Sequence, residues 1–429
     1  MADLCQNLPS DCTSDYVYEP LESPHSFRLI RIQPDLESSQ NIHCTIERYE
    51  RGSEECPSYT ALSYVWGDAS ERKPVTLNGQ RAYVTTNLHQ ALWNLKSVFP
   101  DLYFWIDALS IDQNNVGERG HQVNQMKGIY SDAKEVVAWL GVGNTSIGPL
   151  FMYMREHEET CKPKSGRMDR CELPKGVGIR DAIRYLGNNA YWSRVWVIQE
   201  LVFAAGVRLM CGEHVITWRE TVRFFKHGKR HHFKWELEKE LEKEYRPVGS
   251  PNSSSYIVTF SRWPRTDVSL ARALGHSRFT LATDYRDKIY ATLGLVNFGA
   301  GTKIEADYSR SPCKVICIAL QAIAEDEKED RYHVNHKDRS SLKLLYRWCK
   351  YADRSRKRKC HEAGKTGCLE SAALRRYLRE LLEYPEEPGN THRKSYVNSH
   401  TYCEGVICGS REVMWKCLRL ERESISIHY

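Results

Sequence analysis

The sequence lacks the marks of a secreted, membrane-spanning or zinc-binding protein. Its N-terminus has neither the basic region nor the apolar core of a secretory signal. No apolar run approaches the ~18 residues that a membrane helix needs. The 15 cysteines form no Cys-x-x-Cys pair, and the spacings at Cys313–Cys317 and Cys349–Cys368 do not match paired zinc ligands. We therefore expect reduced thiols, no metal site and no membrane segment, in a protein of the cytoplasm or the nucleus.

Several enzyme and binding motifs are also missing. The chain has no G-x-x-x-x-G-K-[ST] phosphate loop and no G-x-G-x-x-G turn, so ATP and Rossmann-type nucleotide binding have no support. It has no G-x-S-x-G nucleophile elbow. The net charge of +6 is mild for 429 residues, and the basic runs at 226–232 and 354–359 lack interleaved aromatic residues. Nucleic acid is therefore not an expected partner, although RSRKRK at 354–359 is a candidate nuclear-localisation signal.

Alternating strand and helix patterns occupy the first third of the chain. Patterns typical of strands lie at 27–32, 59–68, 102–111 and 136–141. Helical patterns lie at 85–97 and 117–133; the first has a stripe of Leu88, Ala91, Leu92 and Leu95, with Asn87 or Thr86 as its candidate N-cap. Asn78-Gly79, between the strand pattern at 59–68 and the first helical pattern, indicates a tight hairpin turn. The order strand, helix, strand, helix, strand predicts an α/β fold, a parallel sheet flanked by helices.

The rest of the chain divides by composition. Residues 1–25 are polar and indicate a loose leader; 26–204 form the main domain, with an insertion at 142–180. Residues 205–326 are predicted to form a mostly helical extension, after a hairpin around Gly212. Residues 327–429 form a divergent tail with one amphipathic helix pattern, at 372–384.

Three blocks resemble the fungal heterokaryon-incompatibility (HET) family. They are YTALSYVWGD at 59–68, FWIDALSIDQNNVGERGHQVNQMKGIYSDAKEVVAWLG at 104–141 and YWSRVWVIQELVFA at 191–204. A weaker likeness reaches ADYSR at 306–310. Two positions depart from the family: Ser110 stands where Cys is usual, and Asp112 where Asn is frequent. A role that needs a thiol at position 110 is therefore in doubt.

The resemblance implies a function in self/non-self recognition that ends in programmed cell death. It implies self-association and other incompatibility-pathway proteins as partners. HET domains are distantly similar to TIR domains, which are flavodoxin-like, and some TIR domains cleave NAD. That similarity implies NAD as a substrate, with no bound cofactor and no metal. The alternative is a non-catalytic signalling adaptor that acts by homotypic contacts, and the unfamiliar tail leaves open a truncated or degenerate family copy.

Glu200 is the candidate catalytic residue under this resemblance. TIR enzymes carry their glutamate four residues after a tryptophan, as Glu200 follows Trp196. A carboxylate in a site that excludes water would stabilise the oxocarbenium-like state formed when nicotinamide leaves. The alternative is structural, because a lone carboxylate in the apolar stretch VWVIQELVFA needs a partner such as Arg194 or Arg119.

The candidate binding residues follow the same comparison, and two of them, Asp68 and Asp107, fall at or near the carboxyl ends of predicted strands. The candidates are Ser63, Tyr64, Trp66, Gly67, Asp68, Asp107 and Trp196. The aspartates would bind ribose hydroxyls and the indoles would stack on a flat ring. The alternatives are turn chemistry at 66–68, with Gly67 at positive φ, and a loop cap at Asp107. Glu118, Gln122 and Gln125 share a helix face that is expected to be solvated. The alternative is that Glu118, Arg119 and Gln122 brace the loop at 113–117 beside the pocket.

Overall fold

The computed structural model describes residues 15–34, 41–160, 177–230, 268–277, 280–298 and 303–328. These ranges contain a nine-stranded mixed sheet. Its strands are β1 (Ser26–Ile32), β2 (His43–Glu50), β3 (Tyr59–Tyr64), β4 (Arg72–Leu77), β5 (Gln80–Thr85), β6 (Tyr103–Trp105), β7 (Glu135–Trp139), β8 (Val207–Cys211) and β9 (His214–Thr217). The order across the sheet is β5-β4-β2-β1-β6-β3-β7-β8-β9.

Four adjacent strands at the centre of the sheet run parallel. β3 pairs with β6 on one side and β7 on the other, and β8 pairs with β7. Antiparallel pairs extend this centre: β1 on β6, β2 on β1, and the hairpins β4–β5 and β8–β9. The predicted α/β class is confirmed, but the sheet is mixed rather than wholly parallel. Of the flanking strands, β1 lies at the predicted strand and the two hairpins lie at the predicted turns, whereas β2 occupies a segment with no predicted strand. Their pairing with the central strands depends on tertiary context.

The described helices cover both faces of the sheet. They are α1 (Thr86–Val98), α2 (Asp107–Ser110), α3 (Val116–Asp132), α4 (Ile147–Thr160), α5 (Val177–Gly187), α6 (Val197–Val202), α7 (Trp218–Arg230), α8 (Leu270–Ser277), α9 (Asp287–Tyr290) and α10 (Pro312–Lys328). Every residue of β3 is buried. Its Tyr59 and Ala61 pack in one core with α3 to α7, whereas Leu62 and Tyr64 pack in a second core with α1.

Helix α1 and the β4–β5 hairpin form where the local sequence predicts them. The predicted stripe of α1 is its buried face. The cap is Thr85, which precedes both candidates, and its side chain accepts a hydrogen bond from the Leu88 amide. Asn78 and Gly79 both have positive φ, as a tight hairpin turn requires.

Two sequence-based boundaries need correction. The strand predicted at 102–111 covers only Tyr103–Trp105, because the chain then turns into α2. A short apolar run does not distinguish a strand from a buried helical turn, which explains the error. The predicted insertion at 142–180 contains all of α4, whose Ile147 and Leu150 lie in the core. The sheet also continues through β8 and β9, past the predicted boundary at 204.

The described part of the leader contacts the domain. Asp15 forms an ion pair with Arg81 on β5. The Tyr18 hydroxyl donates to the carbonyl of Leu109, and the Arg28 guanidinium lies 4.9 Å from the centre of the Tyr18 ring. Residues 15–25 are therefore part of the packed structure.

Beyond β9 and α7, the described part of the extension is mostly helical and forms a third apolar core. This core joins α8, α9 and α10 to the segment 303–308. Asn124 of α3 connects it to the main domain, because its side chain bonds both the amide and the carbonyl of Ala306. No helix in the described ranges has the length and apolar character needed to cross a membrane. The amphipathic pattern at 372–384 and most of the tail from 327 lie outside these ranges.

Candidate functional site

Glu200 lies in a buried polar cluster with Ser63, Tyr191 and Arg194. The Glu200 side chain is 2% exposed. Its Oε2 accepts hydrogen bonds from the Ser63 hydroxyl and from Nη1 of Arg194, which is 3.3 Å away. The Ser63 and Tyr191 hydroxyls lie 2.7 Å apart. Of the two arginine partners that the sequence left open, Arg194 is the one observed.

Several elements converge to form this polar cluster. Ser63 faces α6 because it occupies the same side of β3 as Tyr59 and Ala61. Glu200 sits in the first turn of α6. A short 3₁₀ turn, Ala190–Ser193, places the Tyr191 hydroxyl beside Ser63 of β3, and Arg194 follows the turn directly. Three hydrogen-bonding groups thus surround a carboxylate that would otherwise be costly to bury.

Charge in the polar cluster is balanced around Arg194. Burial raises the pKa of Glu200 above its ordinary value, against the lowering effects of Arg194 and Ser63. Burial tends to lower the pKa of Arg194, but Glu200 and Asp107 outweigh that effect and raise it. One guanidinium therefore serves two carboxylates, and Glu200 is not presented as a free base in this conformation.

Asp107 extends the polar cluster towards the surface. Asp107 is the first residue of α2, and its Oδ2 accepts a 2.8 Å hydrogen bond from Nε1 of Trp66. Burial raises the pKa of Asp107, against Arg194 and Trp66, which lower it. Tyr64 lies beside Asp107, without the geometry of a full hydrogen bond. Trp66 is 41% exposed and marks the solvent side.

The side chains of the other predicted binding residues make their contacts outside this polar cluster. Asp68 is exposed and accepts from the amide and hydroxyl of Ser70, which is turn chemistry. Gly67 has φ of +80°, as the turn alternative expects. Trp196 is half-buried and interacts with Asp287 in α9. The structure thus brings together Ser63, Tyr64, Trp66, Asp107 and Glu200, and separates Asp68 and Trp196 from them; their roles in binding and catalysis stay predictions.

A hollow of about 400 Å³ lies next to the polar cluster, at the carboxyl ends of β3 and β7. Its lining comprises Val65, Gly67, Asn87, Trp139, Leu140, Gly141, Arg184, Tyr185, Asn188, Asn189 and Ala190. Of these, Gly67 alone was among the predicted binding residues. The others could be found only from the strand order, because they come from four separate stretches of the chain.

The helix face of Glu118, Gln122 and Gln125 is buried rather than solvated. Glu118 forms an ion pair with Arg28 of β1 at 2.7 Å and accepts from the Asp112 amide at 2.7 Å. The bracing alternative is therefore confirmed for Glu118. The Gln122 side chain donates to the carbonyl of Ser26.

A second polar cluster, around Tyr308, was missed from the sequence. The Tyr308 hydroxyl donates to Asp287 at 2.6 Å, and the Arg119 guanidinium lies 4.2 Å from the ring centre. Arg286 pairs with Asp284 and also donates to the Tyr308 carbonyl. Burial raises the pKa of Asp287 to about 6. The only sequence signal was the weak likeness at 286–310, which did not indicate how these residues meet.

The sequence matches one family model and one curated fungal protein. Residues 59–200 match the family model described as Heterokaryon incompatibility protein (HET). Heterokaryon incompatibility protein 6, OR allele, from Neurospora crassa is 27% identical over 230 residues, covering 44% of this chain and 34% of that protein. The match therefore spans about a third of the relative's length. No solved structure matches the chain. Together these matches support placing residues 59–200 in the heterokaryon-incompatibility (HET) family.

Proposed function

We propose that this chain acts in heterokaryon-incompatibility-type recognition of non-self and triggers cell death. We further propose that it does so through protein contacts, including contacts between copies of itself, rather than by cleaving NAD. The family match at 59–200 supports the first part. The buried pair of Glu200 with Arg194 carries the second part.

In this conformation, the charge environment of Glu200 disfavours catalysis. A carboxylate stabilises an oxocarbenium-like state only if it faces the reacting carbon and its charge is available. The Glu200 side chain is 2% exposed and shares its charge with Arg194 and the Ser63 hydroxyl. Releasing it would leave a buried guanidinium with one fewer partner, which is costly. Glu200 is therefore assigned a structural role.

The test is expression of the full chain in a fungal host, with NAD level and viability followed together. Wild type and Glu200→Gln are compared at equal soluble protein. We expect both to reduce viability without an earlier fall in NAD. A surface variant, Tyr83→Ala with Trp93→Ala, removes two exposed aromatic side chains of the type that dominates protein interfaces. We expect that variant to weaken killing. An early fall in NAD that Glu200→Gln abolishes would overturn the proposal.

NAD cleavage is the second candidate, and the gathering of five predicted residues favours it. Ser63, Tyr64, Trp66, Asp107 and Glu200 come from three separated stretches of sequence yet lie at one end of the sheet. The hollow is adjacent, since Val65 lies between Tyr64 and Trp66. The placement of β3 between β6 and β7 is the strand order of flavodoxin-like folds.

Cleavage would require Arg194 to move away from Glu200, for example on self-assembly. The measurement is nicotinamide release from NAD by purified full-length protein, with and without a crowding agent that drives assembly. Turnover in wild type that is absent in Glu200→Gln would support this candidate. Equal turnover in both would eliminate Glu200 as the catalytic group.

A further inference from the structure

The hollow lies where ligands bind in open parallel sheets. β3 stands between β6 and β7, so the order of the chain reverses at β3. Helix α1, after β3, packs on one face of the sheet, whereas α4 and α5, after β7, pack on the other. The connections that leave the two strands therefore separate and leave a crevice outside their carboxyl ends. The hollow occupies that crevice.

Hydrogen bonds tie the walls of the hollow to the two strands. The Asn87 side chain of α1 donates to the Val65 carbonyl and accepts from Trp139 Nε1, so it connects the ends of β3 and β7. On the opposite wall, the Tyr185 hydroxyl and the Asn189 amide both donate to the Leu140 carbonyl, at 2.9 and 2.7 Å. These bonds hold the hollow open before a ligand arrives, which lowers the cost of binding.

Two glycines keep the hollow from filling. Gly67 and Gly141 follow β3 and β7, with φ of +80° and +95°. A Cβ at Gly141 would lie 2.5 Å from the Tyr185 hydroxyl oxygen, and one at Gly67 would lie 3.2 Å from Cβ of Asn87. A side chain at either position would displace a wall.

The lining carries positive charge only. Among the lining residues Arg184 is the single charged side chain, in the last turn of α5 and paired with Asp181 at 2.6 Å. The Arg184 side chain is 28% exposed, so a ligand can share it. Asn87 is the second residue of α1, and the first turn of α1 has no acidic residue to offset its positive end. The crevice therefore favours an anion.

We propose that the hollow binds a mononucleotide, a ligand with one phosphate group and one flat base. Its volume of about 400 Å³ falls within the range of small-molecule sites. Arg184 and the start of α1 would hold the phosphate. The amides of Asn188 and Asn189 would meet the edge of the base, against Val65 and Leu140. Binding there does not use Glu200, so this inference is independent of the proposed function.

The test is calorimetric titration of the purified full chain with AMP and GMP, and separately with adenosine and inorganic phosphate. We expect AMP or GMP to bind more tightly than adenosine or phosphate alone. Arg184→Gln should weaken nucleotide binding roughly tenfold or more and leave adenosine binding unchanged. Arg180→Gln is the matched control, since Arg180 lies one turn earlier on α5 and outside the lining.

A second variant, Asn188→Asp, tests the proposal even if Arg184→Gln folds poorly. Asn188→Asp places a carboxylate in the lining and should weaken nucleotide binding by a larger factor than adenosine binding, with an unchanged melting temperature as the check on folding. No binding of AMP or GMP at millimolar concentration would overturn the proposal. So would nucleotide affinity that is equal in wild type, Arg184→Gln and Asn188→Asp. Phosphate binding as tight as nucleotide binding would overturn the assignment to a mononucleotide.

Discussion

Arg194 and Glu200 form an ion pair whose side chains are 17% and 2% exposed, at 3.3 Å between Nη1 and Oε2. The pair joins the 3₁₀ turn that precedes α6 to α6 itself, and through Ser63 it reaches the central strand β3. Asp107 adds a second carboxylate to the same guanidinium. Arg194 therefore supplies the positive charge that stabilises both buried carboxylates at this end of the sheet.

Removal of Arg194 should be strongly destabilising. Arg194→Met leaves two buried carboxylates without their cation, and we expect a loss of about 3–5 kcal/mol in the free energy of unfolding. The control is Arg31→Met, because the Arg31–Asp101 pair is 45% and 68% exposed and such pairs contribute under about 1 kcal/mol. Urea unfolding of both variants measures this. Equal losses would show that Arg194 is not the central charge.

Asp287 should make the protein less stable as pH rises from about 4 to above 6. Its pKa is raised from 3.8 to about 6 by burial, so the folded chain holds a proton that the unfolded chain has released. Stability is therefore greater below the unfolded value and falls as pH passes through the folded value, by up to about 3 kcal/mol. Asp287→Asn should flatten the curve of urea midpoint against pH between about 4.5 and about 7.5, the window centred on the folded pKa of about 6.

Asp284→Asn is the matched control for Asp287→Asn. Although burial tends to raise the pKa of Asp284, its hydrogen bonds to Arg286 lower it overall. Its contribution is therefore present above the unfolded value and lost as pH falls below it, so Asp284→Asn should reduce stability at pH 7. A variant at Asp287 that keeps the wild-type pH dependence would contradict the assigned titration.

Gly141→Ala should cost more stability than Gly52→Ala. Both glycines have positive φ, at 95° and 85°, so each substitution introduces backbone strain of roughly 1 kcal/mol. At Gly141 the new methyl group would also lie 2.5 Å from the Tyr185 hydroxyl, whereas Gly52 has nothing within 4 Å. Thermal unfolding of the two variants gives the comparison. Equal shifts in Tm would mean that the Tyr185 wall moves without cost.

Glu118→Ala should destabilise the junction of β1 and α3. The change leaves the Arg28 side chain, which is 3% exposed, without its carboxylate, and we expect a loss of about 3 kcal/mol. It also frees the Asp112 amide at the start of the loop before α3. Asp132→Ala removes the partner of Arg51 in a more exposed pair and should cost under about 1 kcal/mol. Chemical denaturation distinguishes the two.

The elements that could be predicted are those with a strong local pattern. Helix α1 has its stripe at helical spacing, and β3 is a six-residue run in which every position is buried. The apolar run after Trp105 was wrongly predicted as a strand. Its Ile106, Leu109 and Ile111 are buried, and a strand or a helical turn would bury them equally. Over so few residues, the pattern of apolar side chains does not show whether the spacing is that of a strand or of a helix.

Charged side chains were harder to place because their partners are distant in sequence. Glu200 was recognised as needing a partner, and Arg194 is only six residues away. Ser63 is 137 residues away, and Arg28 lies 90 residues before Glu118. A helical pattern cannot show which polar face another element will cover, so the face with Gln122 was ambiguous until the chain was folded.

The sequence by itself determined the α/β class, the central strands, the hairpin turn and the family resemblance. Each of these follows from the spacing of neighbouring residues or from a contiguous motif. Only the tertiary structure decided that the sheet is mixed, that Arg194 neutralises Glu200, and that residues from four stretches enclose a hollow. These depend on which strand ends and helix faces meet, and that choice is made by packing across the whole domain rather than by any short segment.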